Sequence, residues 1–98
     1  MDVTEISVAT FRMGTEKEAA LKPLEEAAEV YGAWQAWQGS ERRGTRDGDL
    51  LPCVADEVAD TIQACCNLAA RLGIDLGAAM RRCEERNRAR GRYDGTGA

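Results

Sequence analysis

The sequence predicts an all-α fold of three main helices, and three observations carry that expectation. Two long stretches, from about residue 16 to Trp37 and from Pro52 to Leu72, hold helix-compatible residues with few breakers. Recognisable start signals precede the helices, and a glycine stands where each of the last two should stop. Between the long stretches, residues 38–50 (QGSERRGTRDGDL) contain three glycines and no apolar periodicity.

Taken in order, residues 1–14 form an N-terminal extension in which Ile6, Val8 and Phe11 fit either a brief strand or an extra helical turn. Thr15 and Glu18 match a capping box, in which hydroxyl and carboxylate satisfy orphan amide donors. Pro23 leaves two alternatives: a first helix beginning near Leu21 with Pro23 in its opening turn, or a longer helix bent there. Residues 38–50 read as a mobile loop. Pro52 suits the first turn of a second helix, where its missing N–H costs nothing, and Gly73 suits a left-handed stop. Asp75 caps a third helix reaching about Arg90 and ended by Gly91, and residues 92–98 form a frayed tail. The whole chain, 1–98, reads as one helical domain.

At 98 residues the chain builds only a small core, near the size at which oligomerisation completes burial. A four-helix-bundle core completed by dimerisation is therefore expected. The net charge is −4, yet residues 81–92 hold six arginines against two acids. An acidic chain with one basic stretch makes a poor general nucleic-acid binder, because that affinity comes from neutralising many phosphates. No apolar run approaches the ~20 residues needed to cross a bilayer, and no signal peptide is visible; the expectation is a cytoplasmic protein. Cys53, Cys65, Cys66 and Cys83 form no CxxC pair and there is no histidine. Reduced, mostly buried thiols are expected rather than a zinc site.

Two acidic clusters stand out: Glu25, Glu26 and Glu29, then Asp56, Glu57 and Asp60, each set among Ala, Leu, Val and Ile. Residues three or four apart share a helix face, so Glu26 pairs with Glu29, and Glu57 with Asp60. A solvated face is one reading. The other is a hard divalent cation, Mg²⁺ with Mn²⁺ as a substitute, held by carboxylates and substrate phosphates. Arg82, Arg86 and Arg90 recur on one face beside Asn87. They fit either a surface helix with Glu84–Arg88 pairing or phosphate recognition by guanidinium forks. Trp34 and Trp37 suit a core or a subunit contact better than base stacking.

The segments LEEAAEVYGAWQAW, DEVADTIQACCNLAARLGIDL and CEERNRARGRY resemble the MazG-like all-α nucleoside triphosphate pyrophosphohydrolases across about residues 17–93. That superfamily carries EExxE, a variable spacer and ExxD. Here Glu25-Glu26-Ala27-Ala28-Glu29 and Glu57-Val58-Ala59-Asp60 match the two halves, with 27 residues between them. The resemblance implies Glu26, Glu29, Glu57 and Asp60 as metal ligands. Glu25 would then be a base candidate or would sit just behind the metal, with Glu26 also in the catalytic set. It implies that Asn87 and Arg90, with Arg86 and Arg82, bind phosphate or sugar. The chain departs from the pattern at Cys83, near which relatives often carry lysine.

The expected activity is Mg²⁺-dependent hydrolysis of a nucleoside triphosphate to the monophosphate and pyrophosphate, by a homodimer or dimer of dimers. A phosphoribosyl-ATP pyrophosphohydrolase-like enzyme is the alternative within that class. Outside it stand two alternatives, a non-catalytic helical interaction module and a nucleic-acid-binding helix using the Arg81–Arg92 stretch. With no histidine, a Ser or Cys lacks its usual base, so no covalent nucleophile is expected.

Overall fold

Thr15 opens the first helix as the capping box requires. The Glu18 N–H donates to Thr15 Oγ1 (3.2 Å) and the Thr15 N–H donates to Glu18 Oε2 (3.4 Å). From that cap, α1 (Glu16–Arg42) continues without interruption through Pro23. The longer of the two alternatives is therefore the observed one. Pro23 offers no N–H to the Ala19 carbonyl, and it sits half-buried in the helix that packs on α2. The computed structural model describes residues 2–42 and 50–94, with residues 41–42 as backbone only. Residues 38–42, expected to begin a loop, are the last turn of α1; the rest of that expectation, 43–49, lies outside the described residues.

The second helix, α2 (Leu50–Arg71), has Pro52 in its first turn. It ends as Gly73 predicts. Gly73 adopts φ +67°, its N–H donates to Ala70 O (3.2 Å), and the Ile74 N–H reaches back to Ala69 O (2.9 Å). The Asp75 carboxylate accepts the Ala78 N–H (3.0 Å) and starts α3 (Leu76–Ala89). Gly91, at φ +72°, closes α3 with the same pair of bonds, to Arg88 O and Asn87 O. All described secondary structure is helical, so the all-α expectation holds. Residues 2–13 form neither a strand nor a helical turn. The frayed-tail expectation for 92–98 falls partly outside the described residues. The part within them includes Tyr93, half-buried, with the Arg88 guanidinium 5.4 Å from its ring centre.

An antiparallel hairpin of α1 and α2 makes up the packed body of the protein. Gly14, before α1, bonds Arg71 at the far end of α2, while Glu26 meets Glu57 and Asp60. Along α1 the shielded positions include Ala19, Pro23, Glu26, Val30, Ala33, Trp37 and Ser40; along α2 they include Leu50, Val54, Glu57, Thr61, Ala64, Leu68 and Arg71. Both series advance in steps of four and three, the spacing of a coiled-coil seam. Glu26 and Glu57 therefore occupy seam positions where apolar side chains are usual.

The seam buries little. Ala64 and Ala69 are the only fully buried apolar residues among those described. Neither α1 nor α2 packs substantially against α3. The radius of gyration is 16.4 Å, against about 13 Å for a compact domain of this length. Cys53 and Cys65 are exposed and Cys66 and Cys83 half-buried, which corrects the expectation of mostly buried thiols.

Candidate metal centre

The site forms where the hairpin seam turns polar. Glu26 is 8% exposed, Glu57 is half-buried and Asp60 is exposed on the flank of α2. One carboxylate oxygen from each lies within 4.8 Å of the others. Antiparallel packing brings this about: Glu26 lies ten residues after the start of α1 at Glu16, and Asp60 lies eleven before the end of α2 at Arg71.

Three negative groups this close repel one another, and the surroundings only partly compensate. Lys22, one turn before Glu26 on α1, sits with Nζ 3.3 Å from Glu26 Oε1 and 3.6 Å from Glu25 Oε2. The hydrogen bond to Glu26 raises the Lys22 pKa, helped by the charges of Glu26 and Glu25. The other oxygens are left over. Glu26 Oε2 and Glu57 Oε2 are both buried and receive no hydrogen bond. Buried acceptors are normally satisfied, so each orphan calls for an explanation. A hard divalent cation fits the donor set: three carboxylates, two with free lone pairs, beside an open flank for waters and phosphate oxygens.

The structure brings together three of the four expected ligands. Glu29 is exposed and stands outside the group of three. It lies a further 300° around α1 from Glu26, and at that level Val30 takes the seam position instead. Glu25 is exposed, pairs with Lys22 and lines the groove that opens onto the site. Asn87, Arg82, Arg86 and Arg90 are not brought to the carboxylates within one chain, because α3 does not pack on the hairpin. Arg88 pairs with Glu84 at 3.4 Å, the surface-helix pattern.

Residues missed in the sequence line the same groove. Gln63, Asn67 and Arg71 continue the Asp60 flank of α2 at four-residue intervals and hold the N-terminal segment against the hairpin. Their polar i, i+4, i+8 stripe within QACCNLAAR was the available signal. No helix among the described residues is long and apolar enough to cross a membrane. Compared with protein-family models, curated proteins and solved structures, the chain matches none.

Proposed function

We propose that this chain is a Mg²⁺-dependent nucleotide pyrophosphohydrolase of the MazG-like all-α kind. One observation carries the reading: the buried Glu26 and the half-buried Glu57 meet on the hairpin seam, each with a buried oxygen that receives no hydrogen bond, and a third carboxylate stands within 4.8 Å. Such a group is costly in an apoprotein and suited to a divalent cation. The paired EExxE and ExxD motifs give that cation a phosphate-chemistry context.

In this reading Glu26, Glu57 and Asp60 hold Mg²⁺ or Mn²⁺, and Glu29 stands outside that set. The cation supplies polarisation of phosphoryl oxygens and neutralisation of their charge. Lys22 adds a second positive charge at the rim. Glu25, solvent-exposed beside Lys22, accepts the proton as a water oxygen bonds to the α-phosphorus. The bridging P–O bond then breaks, and pyrophosphate leaves with that electron pair.

The active unit is a dimer of hairpins. Opposite the groove, α1 presents Leu24, Ala27, Tyr31 and Trp34, and α2 presents Leu51, Ala55, Val58, Ile62 and Cys65. Leu24 is 70% and Tyr31 59% exposed. Both series repeat in steps of three and four, so each helix carries a second apolar seam without a partner. The accessible surface is 7542 Å², about 2,000 Å² above what a compact monomer of this mass exposes. That excess is the size of a permanent subunit interface. A second hairpin covers these seams, and α3 of the partner is the element free to carry Arg82, Arg86, Asn87 and Arg90 toward the carboxylates.

A pyrophosphate-release screen over NTPs and dNTPs with Mg²⁺, using wild type and Glu57→Gln, tests the activity. Release by wild type and its loss in the variant are expected. Calorimetry with Mn²⁺ separates the alternatives. Metal binding without pyrophosphate release points to a non-catalytic helical module, and no metal binding refutes the site.

A further inference from the structure

The N-terminal segment is a built wall rather than a loose end. The Phe11 N–H donates to Asn67 Oδ1 (3.0 Å), Gln63 Nε2 donates to Ala9 O (3.0 Å), and Arg71 Nη1 donates to Gly14 O (2.9 Å). Gln63 Nε2 also donates to Asn67 Oδ1 (2.9 Å). Three side chains spaced one turn apart on α2 thus grip the backbone of residues 9–14 as a strap. Strap and hairpin together enclose a groove of ≈ 470 Å³ that runs to Glu26 and Asp60, within the usual range for a small-molecule site.

The hydrogen bonds that hold the strap also fix the chemistry of the wall. A backbone carbonyl orients the Gln63 amide and a backbone N–H orients the Asn67 amide, so neither can flip without losing its bond. Asn67 Nδ2, a donor, and Gln63 Oε1, an acceptor, take no part in these bonds, and both residues line the groove. A donor beside an acceptor is the complement of a nucleobase edge. Phe11, half-exposed on the strap, supplies an aromatic face. Arg12 and Lys22 place positive charge on the groove wall.

We infer that this groove binds the nucleoside part of a nucleotide, with Phe11 against the base and the Asn67–Gln63 amide pair reading its edge. The inference rests on the proposed metal centre only for the direction in which the phosphates point, toward Glu26 and Asp60. The strap, which lies outside the paired acidic motifs, thereby determines base specificity.

Calorimetry on the full chain with the four ribonucleoside 5′-monophosphates and their deoxy counterparts, without metal, tests it. Wild type should prefer one base over the others by about tenfold or more. Phe11→Ala should weaken that ligand by about five- to hundredfold, the range for loss of a base–aromatic stack. Asn67→Asp keeps the oxygen that accepts the Phe11 N–H but replaces the free donor with an acceptor. It should erase or invert the preference while leaving the circular-dichroism spectrum unchanged. Mn²⁺ calorimetry on the same wild-type chain, run without nucleotide, reads the metal centre by itself, so its failure and the failure of the groove are distinguished. If no monophosphate binds wild type at millimolar concentration, or if Phe11→Ala and Asn67→Asp both stay within twofold of it, the inference is overturned.

Discussion

Replacing Glu26 by leucine separates a ligand from a structural residue. Glu26 is 8% exposed on the hairpin seam, with Oε2 buried and without a donor. A buried acceptor left unpaired costs about 1–3 kcal/mol. Leucine has a higher affinity for a coiled-coil seam and a similar helix propensity. The substitution also removes the Lys22 contact, which is exposed and so contributes little. Glu26→Leu should therefore stabilise the metal-free protein by about 1–2 kcal/mol, an increase in Tm of roughly 5–15 °C for a domain of this size. With metal present the order reverses. At a hundred times Kd, a cation bound only by the folded state contributes about 2.7 kcal/mol, a gain open to wild type and closed to the variant. Thermal melts at fixed protomer concentration, with EDTA and then with MnCl₂, read both effects. A variant less stable than wild type in EDTA, or one still stabilised by Mn²⁺, would refute the reasoning.

Four further outcomes follow from the same geometry. Glu29→Gln should weaken Mn²⁺ binding less than Glu57→Gln does, because Glu29 stands outside the group of three carboxylates; paired titrations give the ranking. Ile62→Glu places a charge in the unpartnered α2 seam, and light scattering should change from twice 10.7 kDa to a single chain. Lys22→Met should tighten Mn²⁺ binding by less than about tenfold, since an exposed cation competes only weakly for Glu26. Because Glu26 and Glu25 raise the Lys22 pKa above 10.5, the contact stabilises the fold below that value wherever the two carboxylates are ionised. The contribution disappears as pH climbs through the raised value, so melts of wild type and Lys22→Met should converge there.

Helix starts and stops were the most legible part of the chain, because caps are local chemistry. Thr15 with Glu18, Asp75 with Ala78, and Gly73 and Gly91 each act on backbone within five residues, and all do in the structure what their spacing implies. The course through Pro23 was not legible. A single proline weakens a helix without saying whether tertiary contacts restore it, and the seam on the α2 side was needed to show that they do. The same holds for residues 38–42, where glycine and charge predicted a loop and the end of α1 is helical.

For the site, the sequence by itself determined the candidate carboxylates: two acidic pairs at helical spacing, 27 residues apart, on otherwise apolar segments. Rotation about the helix axis is periodic, so which residues share a face can be read from spacing alone. What only the tertiary structure decided is which carboxylates meet and what stands beside them. The antiparallel register sets Glu26 against Glu57 and Asp60, leaves Glu29 outside, holds α3 and its arginines away, and lays residues 9–14 across Gln63, Asn67 and Arg71. Those relations span 31 to 57 residues of chain. They arise from the packing of one helix on another, which local spacing does not encode.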